Sequence, residues 1–166
     1  EFSKKDLAKI KKLTKGLNYD EIFFLARDFA FNKERDKARL LCNYILNEFP
    51  NYADVRTLKG RTLAWDKNYS KAETELLEVV KRTPYYNDSY LALMDLYWWT
   101  DQDTKGILIA KKGLKNKVDT PELGVKLAQA YNRTNKLTLA NKVIDSLIKK
   151  HPTEKQFVKI KKTFVK

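Results

Sequence analysis

Apolar residues along the chain recur at intervals of three and four, and nowhere in sustained alternation. From Tyr19, the run Ile22, Leu25, Ala26 and Phe29 places one apolar stripe on a helix; after a polar stretch a second stripe resumes at Ala38 and Cys42, ahead of Pro50. The pattern predicts two helices joined by a short turn. Residues 63–73, Leu-Ala-Trp-Asp-Lys-Asn-Tyr-Ser-Lys-Ala-Glu, show another such joint: Trp65 closes one helix, a polar turn follows, and Tyr69 and Ala72 lie in the next.

The same arrangement returns every 34 residues without slipping. With starts at Tyr19, Ala53, Asn87 and Pro121, the fourth position reads Ile22, Arg56, Tyr90, Gly124 and the seventh Leu25, Lys59, Leu93, Leu127. The eighth reads Ala26, Gly60, Met94, Ala128 and the eleventh Phe29, Leu63, Tyr97, Tyr131. Beyond the turn come Ala38, Ala72, Gly106, Ala140, then Cys42, Leu76, Ala110, Ile144, and the repeats close at Pro50, Pro84, Val118, Pro152. Small residues mark close approach of two helices, and proline stops the second helix because it cannot extend the hydrogen-bond ladder.

This pattern resembles the tetratricopeptide repeat over residues 19–152. The resemblance implies an all-α, right-handed α-solenoid of about four helix-turn-helix repeats (19–52, 53–86, 87–120, 121–152) with flanking N- and C-terminal helices. Met94, Gly106 and Val118 make the third repeat the weakest match, and Arg56, Lys59 and Gly124 also depart, which leaves the tightness of individual joints open without touching the repeat itself. Residues 1–18 read as an N-terminal cap: Ser3 and Asp6 start a helix, Gly16 stops it, and Leu7, Ile10 and Leu13 form its inward stripe. Residues 153–166 open on a Thr153–Gln156 capping-box signal and carry Phe157, Ile160 and Phe164 at helical spacing. They are either a capping helix or the first half of a fifth repeat, with Val158 and Val165 at its fourth and eleventh positions.

Composition narrows the class. A chain of 166 residues with 43% hydrophobic residues is expected to fold, burying roughly 70% of the surface its unfolded form exposes. No run of about 18 apolar residues offers a membrane-spanning helix. The chain begins Glu-Phe without an initiator methionine, so it is expected to be processed or cut from something longer. The net charge of +13 sits at the ends: residues 1–17 carry +4 and residues 149–166 carry +6. Solvated terminal helices account for this, with contact to an anionic surface as the other reading. Lysines at the ends and tryptophans in the middle do not make one stacking groove, which argues against nucleic acid. Cys42 stands alone at a core position and reads as a small buried hydrophobe.

An enzyme is not expected. His151 is the only histidine and lies at a helix end, so with one cysteine no familiar metal-ligand spacing can be assembled. No nucleophile elbow, phosphate loop or dinucleotide fingerprint is present, and no cofactor is implied. Glu73, Glu75 and Glu78 are expected to be solvated on an outer second helix.

Candidate ligand contacts lie on the first helices, which line the concave face of such a repeat array. Acids at the second position, Asp20, Asp54, Asp88 and Glu122, sit where a helix's first turn favours a carboxylate. At the ninth, Arg27, Arg61, Asp95 and Gln129 follow one another; the two arginines suit an anion or a neighbouring carboxylate such as Asp54. The thirteenth forms an aromatic column, Phe31, Trp65 and Trp99, with Arg133 last and Trp98 beside it. Since neighbouring residues on a helix point about 100° apart, Trp98 and Trp99 cannot share one core stripe. Phe31, Trp65, Trp98, Trp99, Arg27, Arg61 and Asp95 are therefore the candidate binding residues for a protein or peptide; the alternative role for the aromatic column is packing between repeats.

Ala64, Trp65, Asp66, Tyr69, Ala72, Trp98 and Trp99 also resemble the periplasmic repeat domain of the YaiO family of bacterial outer-membrane proteins. That resemblance implies a periplasmic arm attached to a carboxy-terminal β-barrel, with envelope polysaccharide as a further ligand. The barrel would supply the membrane association; residues 153–166 show no alternating strand pattern.

Overall fold

The computed structural model describes residues 1–164. Among these residues the secondary structure is entirely helical, ten helices with no strand, and none is long and apolar enough to cross a membrane. Val165 lies outside the described residues, so only Val158 of the two fifth-repeat positions is seen, and it is exposed.

Residues 1–83 form one compact unit. It holds α1 (Lys4–Leu13), α2 (Tyr19–Phe31), α3 (Arg35–Glu48), α4 (Ala53–Trp65) and α5 (Tyr69–Arg82). Residues from Pro84 onward form the second, with α6 (Asn87–Trp99), α7 (Asp103–Lys115), α8 (Pro121–Arg133), α9 (Leu137–Lys150) and α10 (Lys155–Lys162). In the first unit each helix from α2 to α5 packs on the next, α2 also meets α4, and α1 lies on α3. In the second, α6 to α9 pack in the same succession, α6 meets α8, and α10 closes on α9. This is the all-α helix-turn-helix repeat fold expected from the sequence.

The turns inside the repeats share one backbone device. Lys33, Lys67, Asp101 and Asn135, each at the fifteenth position, adopt left-handed φ values of 53–65°. Each turn closes with paired bonds, as where Asn68 N–H reaches Leu63 C=O at 2.8 Å and Lys67 N–H reaches Ala64 C=O at 2.9 Å. These are Schellman closures, which satisfy carbonyls a helix end would otherwise leave unpaired. Glycine is the usual residue there, and its absence hid the device from sequence patterns.

The first-unit core is built from Ile22, Ala26, Ala38, Leu41, Cys42 and Ile45, with Val55 and Leu58 of α4. Burial pushes the Cys42 thiol up to about 12, so the thiolate form is suppressed at neutral pH. Gly60 shows why small residues recur at the eighth position: a Cβ there would lie 2.7 Å from Cγ of buried Leu76. Gly106 is different, since its Cβ would meet nothing nearer than Tyr97 Cβ at 3.8 Å. Gly106→Ala is therefore expected to raise stability by about 0.4–1 kcal/mol, mainly by restricting the unfolded chain, with the urea midpoint as the measurement.

Several expectations are corrected. The third repeat is packed despite its departures, with Met94, Gly106 and Val118 all buried. At Gly124 a Cβ would fall 3.1 Å from Leu147, so that joint is tight. In α1, Ile10 is buried and Leu13 half-buried, but Leu7 is exposed: ten residues against α3 leave room for a narrow stripe only. The Ser3–Asp6 capping box forms, whereas α10 starts one residue past Glu154 with no side-chain cap, so the Thr153–Gln156 box does not. Phe157 and Phe164 are nonetheless buried and Ile160 half-buried, as the spacing predicts.

Glu75 is also not solvated. It accepts from Arg56 at 2.8 Å and Lys59 at 2.5 Å, with only 18% of its side chain exposed. The two cations that break the repeat pattern on α4 thus share one carboxylate on α5.

Candidate functional site

Helical spacing pairs the ninth and thirteenth positions on one face, four residues apart: Arg27 with Phe31, Arg61 with Trp65, Asp95 with Trp99. Each compact unit carries its own share of these residues.

In the first unit, Phe31 closes α2 and is 67% exposed. Its ring meets that of Trp65, at the end of α4, with centroids 5.8 Å apart. Trp65 is half-buried, and the guanidinium of Arg35 lies over its indole at 5.7 Å. Arg35 and Arg39 also converge on Asp66, at 2.5 and 2.7 Å, and Arg39 donates at 3.2 Å to the carbonyl of Thr62. Burial alone would raise the Asp66 carboxyl, but hydrogen bonds from the two arginines outweigh it and hold the group below the usual carboxylate range. Phe31 and Trp65 are thus a braced pair, with one ring offered to solvent. Arg27 is exposed one turn before Phe31, and Arg61 is half-buried one turn before Trp65.

In the second unit, Trp98 and Trp99 are 51% and 45% exposed. Arg133, which ends the aromatic column, lies over the Trp98 ring at 5.1 Å. The same guanidinium makes a bidentate contact with Asp103, donating at 2.8 and 3.0 Å. A planar guanidinium here replaces the ring that occupies this position in the other repeats. Asp95, a candidate ligand contact, is engaged by Lys126. The space among Asp95, Trp98, Lys126 and Arg133 is about 20 Å³, room for about one water and too little for a larger ligand group. Arg133, itself fixed by Asp103, braces the Trp98 ring.

The structure therefore joins Phe31 to Trp65 in one cluster and places Trp98 in another, with Trp99 exposed next to it. The ninth-position arginines share helix faces with the first cluster. Sequence inspection did not find Arg35, Arg39, Asp103 or Lys126. Arg35 and Asp103 occupy the seventeenth position of their repeats, and the pairing becomes visible only when each is read against the next repeat.

A second concavity lies at the opposite end of α2. Tyr19, Asp20, Glu48, Phe49, Pro50, Asn51 and Tyr52 enclose a cleft of about 560 Å³. Tyr19 and Phe49 meet nearly edge to face, with centroids 4.9 Å apart and planes at 85°. Tyr52 packs on Phe23 at 5.8 Å and donates its hydroxyl to Asp20 at 3.4 Å. Burial, with the negative charge of Asp20 and Asp54, pushes the Tyr52 phenol up. Among the described residues no group of histidine, cysteine and carboxylates is arranged to hold a metal ion.

No protein-family model and no curated protein matches the chain. Solved structures do. TTC0263, a thermophilic TPR protein of Thermus thermophilus, superposes with a TM-score of 0.71 at 17% identity, covering 93% of this chain and 84% of that one. MamA of AMB-1 is similar in two crystal forms: TM-scores of 0.61 and 0.58, identities of 16% and 17%. These matches cover 84% and 80% of this chain, and 77% and 78% of MamA. At such identities the likeness speaks for the fold, and the fold it supports is the helix-turn-helix repeat array of the tetratricopeptide type.

Proposed function

We propose that the chain is a non-enzymatic interaction module that binds a protein or peptide partner through the aromatic ends of its first helices. The observation that carries this reading is the bracing of exposed rings: Phe31 against Trp65, and Trp98 under Arg133. Large aromatics left in solvent yet already fixed lose little side-chain freedom on binding, which is how a few residues come to dominate an interface. Arg27, exposed one turn before Phe31, adds charge selection for a partner carboxylate. The exposed faces of Trp98 and Trp99 also suit stacking on a sugar ring, so polysaccharide is retained as a second ligand class.

Peptides selected on the full chain from a displayed library, together with an oligosaccharide array, test the proposal. Phe31→Ala and Trp98→Ala are expected to weaken a selected ligand by about tenfold or more while helicity is kept. Unchanged affinity would remove these rings from the interface, and loss of helicity would make them packing residues. The setting we extend to this module, from its tryptophan-rich signature, is the periplasmic arm of an outer-membrane barrel protein. Fractionation of the intact protein from its source cells tests that setting: recovery only after detergent extraction of the outer membrane supports it, and recovery in the soluble fraction overturns it.

A further inference from the structure

The cleft at the start of α2 has a chemistry that the chain has already solved twice elsewhere. In each compact unit an arginine stacks over a tryptophan and pairs with a carboxylate: Arg35 with Trp65 and Asp66, Arg133 with Trp98 and Asp103. A guanidinium suits this because it is planar, weakly hydrated, and matched to a carboxylate by its fork of donors. The cleft supplies the other two members of the set. Its described lining has the rings of Tyr19, Phe49 and Tyr52 and the exposed carboxylates of Asp20 and Glu48, with no cation among them.

We infer that this cleft receives an arginine side chain from a partner protein or peptide. Glu48 is the last residue of α3, where the carbonyl-rich helix end adds to the attraction for a cation. Two arginines hold lining residues, Arg56 donating to Pro50 C=O at 3.1 Å and Arg82 to Asn51 at 2.8 Å. Arg82 is paired with Glu78 and Arg56 with Glu75, a carboxylate it shares with Lys59, while Asp20 and Glu48 are the charged groups that line the cleft itself. The site lies at the other end of α2 from Phe31, so it stands or falls separately from the aromatic face proposed above.

The test is an NMR titration of the isotope-labelled full chain with the peptide acetyl-Gly-Gly-Arg-Gly-Gly-amide. Matched peptides carry citrulline, which is neutral and nearly isosteric, or lysine in place of arginine. Saturable shifts are expected at residues 19–21 and 48–52 with the arginine peptide, about threefold or more weaker binding with lysine, and none with citrulline. Asp20→Asn combined with Glu48→Gln, both at exposed positions, is expected to weaken binding about tenfold, and Phe49→Leu about fivefold. If Phe49→Leu disturbs the fold, the carboxylate pair carries the test alone. Equal binding of the citrulline or lysine peptide, shifts centred elsewhere, or no saturable shift would overturn the inference. Retention of the arginine response in Phe31→Ala would separate this site from the aromatic face.

Discussion

Tyr90→Ala is expected to cost about 3–5 kcal/mol of stability, as large a loss as a single truncation in this core should bring. Tyr90 occupies the fourth position of the third repeat on α6 and is completely buried. Its hydroxyl donates to Pro84 C=O at 2.5 Å and accepts from Asn116 at 2.9 Å, so one side chain ties the entry of α6 to the residue that caps α7. Truncation removes a large ring from close packing and strands both polar partners. Tyr90→Phe keeps the ring and loses only the bridge, for which about 1–2 kcal/mol is expected. Urea unfolding followed by circular dichroism distinguishes the two, and equal losses would mean that the bridge, not the packing, dominates.

Glu75→Ala is expected to cost about 2–3 kcal/mol, because it leaves Arg56 and Lys59 facing each other without their shared carboxylate. Full burial would place the loss nearer 3–5 kcal/mol; side-chain exposures of 16–19% leave some solvent screening and lower it. The informative comparison is the triple replacement Arg56→Leu, Lys59→Leu, Glu75→Leu. Other repeats place apolar residues at these points, Ile22 and Tyr90 at the fourth position and Leu25, Leu93 and Leu127 at the seventh. An ion cluster of this kind is often neutral or worse relative to well-packed hydrophobes, so the triple variant is expected to fall within about 1 kcal/mol of the parent or exceed it. A triple variant weaker than Glu75→Ala would show that the charges hold α4 on α5 in a way that apolar contact cannot replace.

These residues also mark what could be read from the chain beforehand. Positions governed by a helix's own period were legible: the starts of α2, α4, α6 and α8, and the burial of Ala26, Ala38, Ala72 and Ala140, follow from the 34-residue interval. Interactions set by the adjacent helix were not. Arg56 and Lys59 looked like defects because their partner lies on α5, and the carboxylate judged solvated was the one that accounts for them. Leu7 fell on a stripe by spacing, yet α1 packs mainly on α3 and leaves Leu7 exposed. The cleft at the start of α2 was hidden for a different reason. Tyr19, Phe49 and Tyr52 belong to a helix start and a connection, where no 3.6-residue period links residues that meet in space.

The arginine–carboxylate pairs between successive repeats make the order of the modules part of the information the chain carries. From the first repeat to the second the cation comes first, Arg35 at the seventeenth position, and the acid Asp66 answers from the next repeat. From the third to the fourth the polarity is reversed, with Asp103 at the seventeenth position and Arg133 answering. A chain in which the first repeat was spliced directly to the fourth would set Arg35 against Arg133, a like-charge meeting that disfavours the joint. The repeats therefore share a backbone plan without being interchangeable, and duplication, deletion or shuffling of this array would be constrained by charge as well as by shape.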